Sequence, residues 1–460
     1  MLTVMKFGGS SVADNVRIRN VAFRLSEAWR RGDDVVAVLS AMGDTTDELL
    51  EKAYLVNPSP SKRELDMLLA TGEQVSVALM AMALGAMGIP AVSLNAAQVP
   101  MKTNASHGNA KLRSIDTERI RAELESRKVV IVTGFQGVSR NEDITTLGRG
   151  GSDTTAVALA AVLGADLCEI YTDVEGVYTA DPRIVPNARK LAEISYDEML
   201  EYASVGAKVL HNRSVEMAKR YRVPLVVRSS MCDAPGTLVR DVRKNIDGKN
   251  MPGMAGTAGA MKGIGAGTGT AGDGTAATGT AATGTAATGT AATGTAATGR
   301  GGTMERMLIS GVAADTSVAR VTVVGAENRP GVAFGIFQLL AKNNINVDII
   351  IQAAGNGDNS VSFTVDRRDL KETVDLLGAN LTAITGKGVE FDEHVAKVSV
   401  IGAGMTGNPG VAARMFEALY AAHVNIKLIA TSEIRITVLI DESEANRAVR
   451  AIHDAFGLDA

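Results

Sequence analysis

Residues 2–40 read LTVMKFGGSSVADNVRIRNVAFRLSEAWRRGDDVVAVLS. Two short apolar runs, 2–7 and 34–40, flank a longer stretch with helical spacing of apolar residues, 15–31. Strands that alternate with helices of this length are typical of βαβ units, in which successive strands lie parallel in one sheet. The adjacent glycines Gly8 and Gly9 predict a tight strand-to-helix turn whose backbone N–H groups can approach a phosphate closely.

The same alternation continues through the first half of the chain. Further strands are predicted at 90–95, 128–134, 167–172 and 223–228, and further helices at 63–87, 152–164 and 195–220. This order indicates the α/β class, with a mostly parallel sheet that carries helices on both faces.

A change of composition ends this half. Residues 251–303 consist mainly of Gly, Ala, Thr and Met, and GTAAT repeats five times from Gly274 to Thr298. Such a segment cannot bury enough apolar surface to offset the entropy of ordering it. We therefore expect a flexible linker over 241–303, with a binding or adhesive repeat as the alternative.

The segment after the linker contains an internal duplication. RPGVAFGIFQLLAKNNINVDII (329–350) matches NPGVAARMFEALYAAHVNIKLI (408–429), at a spacing of about 79 residues. Each copy follows an apolar strand and precedes a strand and a helix. The pattern predicts two consecutive βαββαβ modules.

Composition excludes several classes of protein. The 460 residues carry a formal net charge of -4, without the basic excess typical of nucleic-acid binders. Two cysteines, Cys168 and Cys232, are too few for a disulfide framework or a multi-cysteine zinc site, and they fit a reducing cytoplasm. No uninterrupted apolar run reaches about 18 residues, so we expect no membrane span.

Three polar loops follow predicted strands and so should share the edge of the sheet at which α/β proteins bind ligands. Residues 6–11, KFGGSS, combine a lysine with glycines and serines. Residues 145–155, TTLGRGGSDTT, carry an arginine suited to bidentate capture of a carboxylate. Residues 171–183, YTDVEGVYTADPR, carry aspartates suited to nucleotide hydroxyls or a hydrated metal ion. A tight turn, a helix cap and ordinary turn chemistry are the respective structural alternatives.

Glu73, in the sequence TGE, is expected in the first turn of a long apolar helix. There, interaction with the helix dipole is the alternative to a binding role. Residues 40–46, SAMGDTT, form another polar loop at the end of the second strand.

Together these motifs resemble those of a known family. KFGGSS, SAMGDTTDELL, TGE, TLGRGGSDTTA and YTDVEGVYTADPRIVPNA occur in the order of the signature blocks of aspartate kinase (aspartokinase), and the C-terminal repeats resemble ACT domains. The resemblance implies an amino-acid kinase α/β/α sandwich on an eight-stranded, mainly parallel sheet, followed by two ferredoxin-like βαββαβ ACT domains. The implied boundaries are 1–240 for the catalytic domain, 241–303 for the linker, and 304–392 and 393–460 for the ACT domains.

The resemblance also implies a reaction. It is the phosphorylation of the side-chain carboxylate of L-aspartate by ATP with Mg²⁺, giving 4-phospho-L-aspartate, the first step toward lysine, threonine and methionine. Lys6 would neutralise charge on the transferred phosphoryl group, and Asp153 would organise Lys6. The implied substrate-binding residues are Ser40, Thr46, Glu73, Arg149, Gly150, Gly151 and Ser152. The implied nucleotide-binding residues are Lys6, Phe7, Gly8, Gly9, Ser11, Tyr171, Thr172, Asp173, Tyr178, Asp181, Pro182, Arg183, Lys208 and Val209, with Mg²⁺ carried by ATP rather than by protein ligands.

Regulation by end-product amino acids is implied as well, with lysine, threonine or both as effectors. The implied contacts are Asn328, Gly331, Val332, Ala333, Asn346, Val347, Asp348, Gln352, Asn425, Ile426, Thr431, Ser432 and Glu433. Asp348 is the natural partner for an effector ammonium group, whereas Asn328 stands where many relatives have Asp. Repeats that only dimerise are the alternative. A homo-oligomer, or association with a separately made ACT subunit, is expected in the cytoplasm, without nucleic acid or membrane.

Two other functions remain open from the residues. One is an amino-acid kinase of the same fold that acts on glutamate or an N-acyl glutamate. The other is a metabolite sensor without catalytic activity. Lys6, Arg149 and Asp153 favour a catalyst, and the pocket residues together with the two repeats favour aspartate.

Overall fold

The computed structural model describes residues 1–206, 209–241, 309–327, 329–353, 359–403, 405 and 410–459. Residues 1–242 and 307–460 belong to one unit. The expected linker 241–303 lies outside the described residues except for Asp241, as do two of the expected site residues, Lys208 and Asn328.

The first 241 residues form a sheet of eight strands and a smaller sheet of four. The strands are β1 (Leu2–Phe7), β2 (Asp34–Leu39), β3 (Ala91–Leu94), β4 (Met101–Thr103), β5 (Leu112–Ile115), β6 (Val129–Thr133), β7 (Gln136–Val138), β8 (Ile144–Thr146), β9 (Leu167–Thr172), β10 (Glu193–Ser195), β11 (Leu225–Ser229) and β12 (Thr237–Arg240). The large sheet has the order β10-β12-β11-β9-β1-β2-β6-β3, and only its β11–β12 pair is antiparallel. The predicted fold class and the six predicted strands of this half are confirmed.

The helices of this half are α1 (Asn15–Arg30), α2 (Thr45–Val56), α3 (Lys62–Ala86), α4 (Glu118–Glu125), α5 (Gly151–Leu163), α6 (Tyr196–Ser204) and α7 (Asn212–Tyr221). The single helix predicted over 195–220 was wrong, because the chain leaves helical conformation between α6 and α7. Gly206 there has a φ of +93°, and His211 caps the start of α7. The small sheet, of order β5-β4-β7-β8, was not predicted from its short and partly polar strands.

The alternation of side chains along β1 decides where the site forms. Met5 and Phe7 pack with α1 and α3 in one apolar cluster, whereas Val4 packs with α5 in the other. Successive strand residues point to opposite faces, so Lys6 points to the side of α5.

Helix α3 is long and apolar enough to span a membrane by length and composition alone, and 44% of its most apolar window is buried inside the protein. Its buried residues include Asp66 and Glu73, and it packs against α1, β3 and β8. Buried carboxyl groups and packing on several sides are what a core helix shows.

The C-terminal part forms two four-stranded sheets. Its strands are β13 (Gly311–Asp315), β14 (Val318–Val324), β15 (Ile350–Ala353), β16 (Ser360–Asp366), β17 (Gly388–Asp392), β18 (Val395–Ile401), β19 (Leu428–Thr431) and β20 (Arg435–Asp441), and its helices are α8 (Val332–Lys342), α9 (Leu370–Ala379), α10 (Val411–Ala421) and α11 (Ala445–Phe456). The first module has the sheet β15-β16-β14-β17 with α8 and α9, and the second has the sheet β13-β18-β20-β19 with α10 and α11.

The two modules exchange a strand. Strand β13, expected in the first module because it precedes residue 392, pairs instead with β18 of the second module. Strand β17 precedes β18 but pairs with β14 of the first module. The duplication therefore begins earlier than predicted, with GVAAD (311–315) and GVEFD (388–392), and each of these strands pairs in the sheet of the other repeat. The boundary drawn at 392 and 393 lies between β17 and β18, which belong to different sheets, but it leaves β13 on the side of the first module.

The second module is bonded directly to the first half of the chain. Val312 N donates a 2.7 Å hydrogen bond to Thr179 O. The fully buried His453, whose pKa is lowered by burial, places Nε2 3.0 Å from Thr179 Oγ1. Arg435 Nη1 lies 2.9 Å from Glu201 Oε2 on α6.

We predict that Gly311→Ala destabilises this junction. A Cβ atom at Gly311 would overlap Thr179 O and the Tyr202 hydroxyl, and overpacking of this kind costs about 1–3 kcal/mol. Thermal unfolding should show a lower midpoint. The control Gly335→Ala lies inside α8 with open space around its Cβ, and should raise stability by up to about 1 kcal/mol through helix propensity. Equal midpoints for the two variants would contradict the prediction.

Candidate active site

The ion pair between Lys6 and Asp153 lies at the centre of the candidate site. Lys6 stands near the carboxyl end of β1, and Asp153 belongs to the first turn of α5. Lys6 Nζ is 2.6 Å from Asp153 Oδ1, and both residues are less than a tenth exposed. Because buried charges are costly without a partner, the pair holds the ammonium group in place next to the positive end of the α5 dipole.

The glycine turn after β1 brings two loops into contact. Gly8 N donates to Tyr171 O at 3.2 Å, and Gly43 N donates to Gly9 O at 3.1 Å. A Cβ atom at Gly9 would lie 2.9 Å from Ala41 O, so this position requires glycine. The turn therefore sets the distance between the ends of β1 and β2.

Three of the predicted nucleotide residues have side chains engaged elsewhere. Phe7 and Tyr171 are buried and stack at 4.6 Å, on the side of the sheet away from Lys6. The Ser11 hydroxyl donates to Ser230 Oγ at 2.8 Å in a buried position. Of these residues, the backbone rather than the side chain is placed near the glycine turn.

A first cavity of about 300 Å³ opens at this point. It brings together the two predicted catalytic residues and all seven predicted substrate-binding residues. Its lining consists of Lys6, Gly8, Gly9, Ser40, Ala41, Gly43, Thr46, Glu73, Phe135, Gly148, Arg149, Gly150, Gly151, Ser152 and Asp153. Ser40 Oγ donates to Ser152 Oγ at 3.0 Å across the cavity wall. Sequence reasoning missed Phe135. This residue has a positive φ of +68°, and no local sequence motif indicates a turn there.

Glu73 is the buried carboxyl group of this cavity. It lies in the middle of α3, which begins at Lys62, so the expectation of a first-turn position was wrong and the helix dipole is not its partner. Its Oε1 accepts a 3.1 Å hydrogen bond from Ala41 N, while Oε2 is buried without a hydrogen-bond partner in the described chain. Burial raises the pKa of Glu73 to about 7. A cationic group placed beside Oε2 would satisfy this unpartnered carboxyl oxygen.

Arg149 projects from a loop of constrained glycines. Gly148 and Gly150 have φ values of +78° and +69°, and a Cβ at Gly150 would overlap the His211 side chain. Arg149 itself is exposed and lines the first cavity. The guanidinium group is therefore available to a bidentate anion such as a carboxylate.

A second cavity of about 560 Å³ lies along the predicted nucleotide loop. It brings together Asp173, Tyr178, Asp181, Pro182, Arg183 and Val209. Hydrogen bonds from Arg183 lower the pKa of Asp181, and Thr172 Oγ1 donates to Asp173 Oδ1 at 3.0 Å. Sequence reasoning missed that the second module completes the wall with Val312, Ala313, Ala314 and Val449, because their contact spans more than a hundred residues of chain.

The predicted effector residues are divided between the two modules. Gly331, with a φ of +97°, starts α8, Val332 is buried in its first turn and Ala333 is half-buried. The other described residues lie in or next to β15 and β19, and all are exposed except the half-buried Val347 and Ile426. They are Asn346, Val347, Asp348 and Gln352 in the first module and Asn425, Ile426, Thr431, Ser432 and Glu433 in the second.

Asp348 is engaged inside the chain. Its Oδ2 lies 2.6 Å from Nζ of Lys397, a buried residue of the second module. The carboxylate expected to meet an effector ammonium thus already meets an internal one. Ser432 is engaged as well, since its hydroxyl donates to Glu201 Oε1 on α6 at 3.3 Å.

Among the described residues, no three His, Cys, Asp or Glu side chains converge into a group that could hold a metal ion. Two acidic side chains of the second cavity, Asp173 and Asp181, engage Thr172 and Arg183 instead, and the third, Glu175, lies 3.7 Å from Lys190 Nζ.

Two family models match the chain. The model of the amino acid kinase family covers residues 1–229, and that of the ACT domain covers residues 321–381 and 398–456. The ACT ranges fall in the first and the second module.

Relatives match over almost the whole chain. Aspartokinase from Mycolicibacterium smegmatis is 46% identical over 461 residues, covering 99% of this chain and 96% of the relative. Aspartokinase from Geobacillus stearothermophilus is 46% identical over 458 residues, covering 99% and 97%.

Solved structures agree. E. coli aspartokinase III with aspartate and ADP, in the R-state, aligns with a TM-score of 0.74 at 25% identity over 99% of both chains. The same enzyme with lysine and aspartate, in the T-state, aligns with a TM-score of 0.65 at 25% identity, over 98% of this chain and 99% of that one.

We predict that Glu73 makes stability depend on pH. Because its pKa of about 7 in the native state lies above the ordinary value of 4.5, the native state holds its proton more tightly than the unfolded state. Stability therefore falls as pH rises from about 4.5 to 7, by up to about 3 kcal/mol at about 1.4 kcal/mol per pKa unit. In denaturant unfolding across this range, Glu73→Gln should lose less stability than the wild type by that amount.

The control for this experiment is Glu51→Gln, on the exposed side of α2. Its free energy of unfolding should follow the wild-type pH profile. Superimposable profiles for Glu73→Gln and the wild type would show that the Glu73 carboxyl ionises normally.

Proposed function

The chain belongs to the aspartokinases of the amino acid kinase family, and we propose that it transfers the γ-phosphoryl group of ATP to the side-chain carboxylate of L-aspartate. The product is 4-phospho-L-aspartate, the first intermediate of lysine, threonine and methionine synthesis in the cytoplasm. The observation that carries this proposal is the set of charges in the first cavity, which complements the three charged groups of aspartate.

Each charged group of aspartate has a counterpart. The buried Glu73 carboxylate receives the α-ammonium group, whose positive charge favours ionisation of Glu73. Arg149 holds a substrate carboxylate, with Ser40, Thr46 and Ser152 as hydroxyl donors around it. The other carboxylate faces Lys6.

The chemistry needs no general base, because the attacking carboxylate is already ionised. Its difficulty is that two anionic reactants must meet in line. Lys6, held by Asp153, neutralises charge that develops on the phosphoryl group, and the backbone N–H groups of the glycine turn add further donors. Asp153 is thus an orienting group for the lysine rather than a proton acceptor.

ATP is assigned to the second cavity, with its phosphates directed toward the glycine turn. Tyr178, Asp181, Pro182, Arg183 and Val209 line the nucleotide side of this arrangement. Mg²⁺ would enter with ATP and would supply neutralisation of the phosphate charge.

Regulation is proposed to act through the two ACT modules. E. coli aspartokinase III has been solved with lysine in its T-state, and we propose lysine, threonine or both as effectors here. The second module forms part of the wall of the second cavity. A change in that module therefore alters the proposed nucleotide site directly, and assembly into a homo-oligomer or with a separate ACT subunit would offer the module its partner surface.

The reaction is tested by trapping the acyl phosphate with hydroxylamine. With MgATP and L-aspartate the purified protein is expected to yield aspartyl hydroxamate, and with L-glutamate or N-acetyl-L-glutamate to yield none. Hydroxamate from either glutamate substrate would assign the chain to another acceptor. If the folded protein binds ATP but forms no hydroxamate from any of these substrates, the remaining interpretation is a metabolite sensor without catalytic activity.

The assay also tests the role of Lys6. Lys6→Ala should lower turnover by at least about 10²-fold, the scale for loss of one preorganised electrostatic contact. Lys219→Ala removes a lysine of α7 that pairs with the exposed Asp197, and its turnover should equal that of the wild type. A near-normal rate for Lys6→Ala would remove Lys6 from the mechanism.

Regulation is predicted to bypass the low-complexity segment. Because the second module is bonded directly to α6 and to Thr179, deletion of 251–300 should leave the half-inhibitory concentrations of lysine and threonine unchanged. Glu201→Gln removes the charge that faces Arg435 and should weaken inhibition several-fold, within the usual range of coupling energies. Loss of inhibition on deletion, with unchanged inhibition in Glu201→Gln, would contradict this route.

A further inference from the structure

We propose that Asp66 is a positioning residue for the aspartate substrate, because it fixes the loop that presents Arg149. This inference rests on the proposed function, in which Arg149 holds a substrate carboxylate. Asp66 does not line the first cavity, so it acts through the loop and not by touching the substrate.

Asp66 is a buried carboxylate at which three segments meet. It is 1% exposed and lies in the second turn of α3. Thr146 Oγ1 donates to its Oδ1 at 2.6 Å, His107 Nδ1 lies 2.8 Å from its Oδ2, and Gly108 N donates at 3.1 Å. The carboxylate is thus surrounded by hydrogen-bond donors, and donors held by an ionised acceptor are held more strongly than by a neutral one.

These donors belong to the segments that carry Arg149. Thr146 ends β8, three residues before Arg149, and its carbonyl oxygen accepts from Ala110 N at 2.8 Å. Gly148 approaches Gly108 so closely that a Cβ atom would lie 3.0 Å from Gly108 O. Asp66 therefore holds the loop 104–110, and this loop in turn contacts and supports the loop 147–150.

Arg213 completes the support from α7. Its Nη1 donates to Leu147 O at 2.6 Å and to Asn109 Oδ1 at 3.2 Å, and its Nη2 donates to Ala110 O at 3.0 Å. The backbone on both sides of Gly148 is thereby held at several points, while the Arg149 side chain remains exposed at the cavity. A fixed backbone and an exposed guanidinium group are what positioning of a bidentate contact requires.

The same helix also carries Glu73. Asp66 and Glu73 are seven residues apart, which is two turns of α3, so both lie on one face about 10 Å apart along the axis. One carboxylate is proposed to receive the ammonium group of aspartate, and the other fixes the loop that receives a carboxylate. Helix α3 thus links the positions of the two recognition groups of the first cavity.

The test compares the KM for L-aspartate with the KM for ATP. Asp66→Asn replaces the ionised acceptor by a neutral amide of the same shape, and should raise the KM for L-aspartate by about 10-fold or more, the scale for weakening hydrogen bonds to a charged group. The KM for ATP should change less than about twofold, because none of the Asp66 contacts reaches the second cavity. The control is Glu123→Gln. Glu123 is another buried carboxylate, which lies on α4 and pairs with Lys128, so this variant should leave both KM values unchanged.

A double-mutant cycle tests whether Asp66 acts through Arg149. In an Arg149→Ala background, Asp66→Asn should lower kcat/KM for aspartate less than about twofold further, since the group that it positions is gone. The full effect of Asp66→Asn in that background, or equal rises of both KM values, would overturn the proposal.

Thr146→Val provides a second route in case Asp66→Asn does not fold. It removes the shortest donor and keeps the carboxylate, and it should raise the KM for aspartate several-fold while sparing that for ATP. An unchanged KM for aspartate in this variant would overturn the proposal. If the wild type forms no aspartyl hydroxamate, the proposed function fails; if it does and neither variant shifts the KM for aspartate, only the role of Asp66 fails.

Discussion

The ion pair between Lys6 and Asp153 fixes the geometry of the whole candidate site. It joins the central strand of the large sheet to the first turn of α5, at 2.6 Å. A buried ammonium group is stable only with a partner, and the ion-pair partner of Lys6 is Asp153 in the first turn of α5. The strand, the glycine turn and the helix must then meet at one point, and the remaining polar groups of the first cavity are arranged around it.

Much of this could be predicted from local sequence. Valine-rich runs such as 34–39 are buried on both faces of a parallel sheet, and they need no tertiary information to be recognised. The loops after β1, β2 and β9 meet because the carboxyl ends of parallel strands share one edge. Polar residues at those positions, among them Ser40 and Asp173, were therefore predictable as a group, whereas Arg149 follows β8 of the small sheet.

The features that could not be predicted depend on contacts between residues that are far apart in the sequence. The strand β13 could pair with its neighbour or with β18, and only packing of the two modules decides for β18. The helical pattern of 195–220 continues across residues that in fact leave the helix, because Gly206 meets Asp315 of the second module. Asp66 looks like an ordinary residue near the start of a helix, and its donors lie about 40 and 80 positions away.

The strand exchange links the two ACT modules. The first strand of each repeat, β13 or β17, lies at an edge of the other repeat's sheet, so a shift of one module would act on an edge of its partner. Strand β13 also touches the kinase half, because Val312 donates to Thr179 and lines the second cavity. Allosteric coupling requires an element whose two arrangements are sensed at both sites. Strand β13 is in contact with both sites: it pairs along one edge with the regulatory sheet, and its residues form part of the wall of the second cavity, which is proposed to bind ATP.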